Sequence, residues 1–307
     1  MYSFSAKLLL LFVLLNPNFK FMKHKIKPTY LCIGHCCHDL LNKKNILGGT
    51  ASYSSIAASK LGAIAAILTS VGSDFEFYDI FKNNNIDFHA KKADKTTVFE
   101  NIYDESSQRM QYLHARAAIL FPLDVPKKWL KTPIVQFCMI ADEVDFSVLK
   151  CFPNSLKGAT IQGWLRQWDS VGKISPKPMD WAQLSALDIV IMSDADIAGF
   201  ESALPSIISA VKIIVMTQGA QGATIFYKGQ AAHFPSYPVV EIDSTGAGDV
   251  FAAAFLIIYS ETQDVAQAAA YAHTAASFVV EGVGIQNLKA MEAIQERFEK
   301  YKTQFLR

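Results

Sequence analysis

The sequence lacks any long run of basic residues, and its 29 lysines and arginines stand against 28 acidic side chains for a net charge of +1. That balance carries no electrostatic footprint of a nucleic-acid binder or of a protein held on an anionic membrane, so the expected partner is a small molecule. Cysteine is scarce too: Cys32, Cys36, Cys37, Cys138 and Cys151 make an odd, irregularly spaced set of five. Such a set in a large chain argues against a disulfide framework and for reduced thiols in the cytoplasm. His35, Cys36, Cys37 and His38 are metal-ligating residue types, but neighbours on an extended chain point to opposite faces. No second pair with zinc-like spacing follows, so ordinary residues at a strand end are expected there.

Long apolar runs are also missing. Leu8 to Leu15 follows a basic Lys7, yet its eight residues fall far short of the roughly 20 that span a bilayer. Nothing like A-x-A follows in Asn16 to Phe21, which weakens a cleavable signal peptide. Residues 1–22 are therefore expected to be a dispensable leader, or an extension upstream of a chain starting at Met22, before a domain over 23–307. Neither a Walker A string nor a G-x-G-x-x-G opening a strand-turn-helix unit occurs. P-loop and Rossmann readings fall with them.

What is present is apolar and periodic: 51% of the residues are hydrophobic and 12% aromatic, enough to bury a large core. Short apolar runs alternate with longer helical stretches, the pattern of an α/β protein with a largely parallel sheet covered on both faces. Strands are expected at Thr29 to Gly34, Ala65 to Ser70, Ile134 to Ile140, Gly158 to Gln162, Ile189 to Met192 and Lys212 to Thr217. Helices are expected at Thr50 to Leu61, Phe75 to Asn83, Ala247 to Ser260, Asp264 to Val280 and Leu288 to Tyr301. Thr97 to Tyr103 and Arg109 to Ala115 alternate in character around a polar loop, Asp104 to Ser107. They read as a hairpin, which needs further strands, expected within 36–47 and 86–92, to form a small β-lid. Val171 to Met179 reads as a loop.

The most specific string is Asp243-Ser244-Thr245-Gly246-Ala247-Gly248-Asp249, followed by the apolar run Val250 to Ile258. Small residues let backbone N–H groups close on an anion, and the following helix aims its positive end at the same point. Asp249 is expected in the first helical turn, kept ionised by the helix dipole and able to take the proton of an attacking alcohol. A lone Gly-x-Gly-Asp would be an ordinary turn; the seven-residue string is far more specific.

That string closely resembles the C-terminal signature of the pfkB carbohydrate kinases. Their N-terminal elements are matched in order by Gly34 with Asp39, by Gly48-Gly49 opening a helix, and by Leu61-Gly62 before Val71-Gly72-Ser73-Asp74. The resemblance implies a three-layer ribokinase-like fold with a β-lid, and transfer of the ATP γ-phosphoryl group to a hydroxyl of a sugar or polyol. It places Asp39, Gly48, Gly49, Tyr53 and Arg166 on the acceptor. Thr217, Gly219, Gly222, Thr245, Gly246 and Gly248 go to ATP, and Gly246, Ala247, Gly248 and Asp249 to catalysis. Asp196 is placed on Mg2+ through water.

Departures from the family pattern are Asp196 for Glu, Ser193 for Asn, Thr160 for Asp and Tyr53 for Asn. Gly34 to Leu40, Leu47 to Tyr53 and Thr96 to Glu100 are similar to plant myo-inositol kinases. A nucleoside kinase and a catalytically weak sugar- or nucleotide-binding protein of the same fold stay open beside that reading. A cytoplasmic location and a homodimer joined through the lid are further expectations.

Overall fold

The computed structural model describes residues 27–103 and 109–305; the expected polar loop at Asp104 to Ser107 and the leader lie outside them. The first half runs β1 (Tyr30–Ile33), β2 (Cys37–Leu41), β3 (Lys44–Gly48), α1 (Thr50–Lys60), β4 (Ala65–Val71), α2 (Tyr78–Asn83), β5 (Asp87–Lys92), β6 (Thr97–Tyr103) and β7 (Arg109–Ala115). Next come β8 (Ile134–Cys138), β9 (Leu156–Thr160), β10 (Arg166–Trp168), β11 (Ile174–Pro176), β12 (Ile189–Ser193), α3 (Asp194–Ile197) and α4 (Leu204–Ala210). The chain continues through β13 (Ile213–Thr217), β14 (Ala223–Tyr227), β15 (Gln230–Phe234), α5 (Ala247–Thr262), α6 (Val265–Val280) and α7 (Met291–Phe305).

Nine strands form one sheet in the order β15-β14-β13-β12-β9-β8-β1-β4-β5, parallel except for the antiparallel β14 and β15 at one end. Both faces are covered, so the continuous apolar runs are divided residue by residue between two cores. In β1, Tyr30 and Cys32 face the core built with α1, α5 and α6, whereas Leu31 and Ile33 face the opposite core with Trp129, Phe152 and Trp164. Helix α5 is buried along most of its length; Phe255 is fully enclosed, and its truncation to alanine would cost about 3–5 kcal/mol. The result is a three-layer α/β architecture.

A second sheet, in the order β3-β2-β6-β7, stands apart from the main one. Its strands include the expected hairpin and the segment within 36–47, but the 86–92 segment is not among them. After α2 the chain crosses over, and β5 pairs in parallel with β4 at the edge of the main sheet. The physical reason is the β-α-β unit, whose short helix returns the chain beside its own preceding strand. Nor is Val171 to Met179 simply a loop: β11 pairs antiparallel with β10 around Gly172, whose φ of +84° makes the turn. The expected strand Gly158 to Gln162 is shifted, ending at Thr160 before a 3-10 turn over Gln162–Leu165.

The lid is tied down where it leaves the core. The His35 ring nitrogens are paired with Thr97 Oγ1 at 2.7 Å and with the Ala118 carbonyl at 3.0 Å, and Thr97 Oγ1 also accepts from the Ala117 N–H. The buried Glu143 carboxylate accepts from the N–H groups of His35, Ile140 and Ala141, pinning the loops after β1 and β8 together. His38 packs instead against Phe75 and Phe77. The β10–β11 hairpin joins the lid through a 2.8 Å bond from Leu113 N–H to the Gly172 carbonyl. Among the described residues no helix is long and apolar enough to cross a membrane.

Candidate active site

In a parallel sheet, ligands bind beyond the carboxyl ends of the strands. Here the segments that follow β1, β8, β9, β12 and β13 meet the N-termini of α1 and α5 at that edge. Three cavities with shared walls lie there. One, of about 310 Å³, lies under the lid and is lined by Asp39, Tyr53, Asn101, Gln162, Arg166 and Asp249 among others. The next, of about 610 Å³, shares Gln162, Arg166 and Asp249 with it and adds Lys173, Asp196, Thr217 and Gly248. The third, of about 410 Å³, shares Thr217 and Gly248 with the second and continues over Gly219, Gly222, Val239, Phe251 and His273. Asp249 stands where the first two join.

The backbone explains why these residues arrive together. Gly246 caps α5 in the left-handed conformation (φ +83°), and the first intrahelical bond runs from Val250 N–H to the Gly246 carbonyl at 3.0 Å. Among the N–H groups ahead of it, that of Ala247 is held by the Ser244 carbonyl, while those of Gly248 and Asp249 open the helix at its positive end. A side chain at Gly246 would collide with the Tyr53 ring, which occupies the space over the turn. Asp243 braces the loop, accepting from Thr245 N–H and from Gly284 N–H, both at 2.9 Å. Burial works against its charge, but these bonds outweigh it and hold its carboxyl below the usual range.

Asp249 departs from expectation in its charge. Desolvation is the dominant influence and lifts its pKa to about 7; Asp39 and Asp196 add to the rise, against a hydrogen bond from Thr50 and the positive charge of Arg166. The helix dipole therefore does not keep it firmly ionised, because enclosure in low-dielectric surroundings outweighs one helix end. The sequence did not reveal that enclosure.

Asp39 lines the first cavity, and Gly48 lies across the β2–β3 ladder from Cys37. A Cβ at Gly48 would stand 2.1 Å from Asp39 Oδ2, so this glycine makes room for the carboxylate and does not itself line the cavity. Gly49 does line it, and its φ of +94° directs the chain into α1 close to the His35 carbonyl. Arg166 donates to the Ile140 carbonyl at 3.1 Å and to Gln162 Oε1 at 2.7 Å. Thr245 and Gly246, expected on the nucleotide, line the cavity under the lid, where the loop turns over Tyr53 before α5 begins. Thr217, Gly219, Gly222 and Gly248 line the third cavity.

Residues that carry no signal in the sequence complete the walls. Asn101 and Gln111 come from the alternating lid strands, and Lys173 from the β10–β11 hairpin, whose partner strand was not legible. His273 lies on α6, where it reads as one polar residue on an apolar face. Its ring meets Phe251 edge-on at 4.9 Å, Nε2 has no hydrogen-bond partner, and burial pushes its pKa down to about 4.

Ser193 and Asp196 form a reciprocal cap on α3: Asp196 Oδ2 accepts from the Ser193 N–H and hydroxyl, both at 2.8 Å. Asp196 also lines the second cavity. Among the described residues no three His, Cys, Asp or Glu side chains converge on one point. Asp196 is a carboxylate bordering that cavity, a donor type that suits a hard cation.

Residues 177–292 match the model of the pfkB family carbohydrate kinases. A nucleoside kinase of Methanocaldococcus jannaschii is 24% identical over 88% of this chain and 97% of its own length. An inositol 3-kinase of Oryza sativa subsp. japonica is 23% identical over 88% of this chain and 73% of its own. Among solved structures, a pyrophosphate-dependent kinase in the ribokinase family, complexed with a pyrophosphate analog and myo-inositol, superposes with a TM-score of 0.69 (21% identity, 87% of this chain and 99% of that one). The Arabidopsis thaliana ribokinase complexed with ribose and ATP gives 0.70 (16% identity, 89% and 99%).

Proposed function

From a chain that belongs to the pfkB carbohydrate kinases, and so is a phosphotransferase with an alcohol acceptor, we propose an ATP-dependent kinase for a sugar or inositol-like polyol. The observation that carries this reading is the position of Asp249, at the join of a polar cavity and the path to an apolar one. The first is lined by Asp39, Asn101, Gln111, Gln162, Arg166 and Asp243, a dense set of hydrogen-bonding groups for a ring of hydroxyls. The apolar walls of the third, with Ala220, Pro238, Val239, Phe251, Ala276 and Val280, suit the flat face of a nucleobase. That feature favours ATP over pyrophosphate as donor.

In this mechanism Asp39 accepts acceptor hydroxyls and sets the ring beneath the lid. Asp249 takes the proton of the hydroxyl under attack as the new O–P bond forms to the γ-phosphorus and the bond to the β-phosphate oxygen breaks. N–H groups at the start of α5 stabilise charge on the transferred group. Mg2+, when bound with ATP, neutralises phosphate charge, and Asp196 is the residue that would hold its water shell. A pKa of about 7 leaves Asp249 divided between its two forms near neutrality, so turnover should rise with pH through that value. Lid closure, the cytoplasmic location and a lid-joined homodimer belong to the same proposal.

The test is product formation across myo-inositol, ribose, fructose, adenosine and guanosine, each offered with ATP or pyrophosphate. Preference for a sugar or inositol with ATP is the expected result. Preference for a nucleoside would move the chain to the nucleoside-kinase reading, and activity with pyrophosphate alone would overturn the donor assignment. No transfer to any of these, with sugar or nucleotide still bound, would favour the weakly catalytic binding protein.

A further inference from the structure

Asp249 lies between two helix starts. Besides the opening of its own α5 it faces α1, whose first residue is Thr50, and Ser54 of α1 donates to the Asp249 backbone carbonyl at 3.0 Å. Thr50 is buried, yet it borders the same cavity as the Asp249 carboxyl. Its hydroxyl oxygen accepts a 3.1 Å bond from Gln162 Nε2, and the amide oxygen of that side chain is held in turn by Arg166 at 2.7 Å. Arg166 is fixed by the Ile140 carbonyl and lies 6.0 Å from the centre of the Phe99 ring, which belongs to the lid.

A hydroxyl has one proton. With its oxygen engaged as acceptor by Gln162, the Thr50 proton is directed to the strong acceptor that lines the same cavity, the carboxylate of Asp249. We propose that Thr50 is a positioning residue for the phosphoryl transfer. Through the series Arg166, Gln162, Thr50 it aims the carboxylate of Asp249 at the acceptor hydroxyl and favours its ionised form. This rests on the reading of Asp249 as the general base.

Several charges and titratable groups face Asp249 from the packed elements: Asp39 on β2, Tyr53 on α1, Cys138 on β8, Arg166 on β10 and Asp196 on α3. Asp39 and Asp196 favour its neutral form. Thr50 and Arg166 act against them, Arg166 through its charge and Thr50 as a hydrogen-bond donor.

The test uses the full chain as wild type, Thr50→Ser, Thr50→Val and Asp249→Asn. The Asp249 midpoint is read from the 13C resonance of its labelled carboxyl, identified by its loss in Asp249→Asn, and kcat/KM is measured against pH. Removing a donor to the carboxylate should raise the midpoint in Thr50→Val by about one pH unit, within the range of single hydrogen-bond effects on a carboxyl. Activity should then fall roughly fivefold at pH 7 and recover in alkali. Thr50→Ser, which keeps the hydroxyl, should retain the wild-type midpoint and profile.

An unchanged midpoint in Thr50→Val, equal behaviour of the Ser and Val variants, or a loss of activity that is the same at every pH would overturn the proposal. Near-normal turnover in Asp249→Asn would instead remove the base assignment. In that case the carboxyl resonance still decides whether Thr50 holds Asp249.

Discussion

The proposed acceptor cavity beneath the lid and the proposed nucleotide cavity, apolar and beside α5 and α6, are assembled in opposite ways. The first draws its walls from β2, α1, β6, β7, the 3-10 turn after β9 and the loop before α5, segments spread over most of the chain. The apolar one, apart from Ser193, is lined by residues between Thr217 and Val280. Its chemistry is also simpler: backbone turns at Gly219 and Gly222, then apolar side chains. The proposed acceptor cavity depends on long-range placement of polar groups, whereas the proposed nucleotide cavity is largely a local product of one stretch.

The sharpest way to separate the two is to leave both intact and remove what joins them. Asp249→Asn keeps the shape and hydrogen bonding but cannot take a proton, so kcat should fall by about two to four orders of magnitude. The KM values of donor and acceptor should change little. The same variant carries a stability signature. A carboxyl raised from 3.8 to about 7 on folding contributes stability below the lower value that is lost as pH rises through the upper one. Above pH 7 the variant should therefore melt at a higher temperature than the wild type.

Asp39→Asn tests the polar side alone. Losing a charged acceptor of two hydroxyls should raise the acceptor KM by about 10- to 100-fold, with the donor KM unmoved. A parallel rise in both would merge the two cavities into one functional unit. On the apolar side, Ala276→Phe places a ring in the third cavity and should raise the KM for ATP by about tenfold without affecting the acceptor. An unaltered ATP KM would mean that the base does not lie there.

The smallest effect concerns His273. Its pKa falls from 6.5 to about 4 on folding, chiefly through desolvation. The unfolded chain takes up a proton in that window and the folded chain does not, so stability present above pH 6.5 is lost as pH falls toward 4. His273→Gln should flatten that acid decline in thermal melts, and an identical slope in both proteins would count against the shift.

The amino-acid sequence alone determined the α/β class, six of the nine main-sheet strands but not β14 and β15, the helix starts at Thr50 and Ala247, and the string around Asp249. Each of these is written in neighbouring residues: apolar periodicity, glycines at turns and small residues before a helix. It did not decide that 86–92 joins the main sheet, because an edge strand and a lid strand of similar polarity look alike until the crossover through α2 places one of them. Nor did it reveal the β10–β11 hairpin, whose strands have three residues each and show no usable alternation. The charge of Asp249 lay furthest from reach. A carboxyl at a helix start reads as ionised from its neighbours in sequence, and it is raised here by burial and by Asp39 and Asp196, against Thr50 and Arg166, a setting that only the tertiary structure brings together.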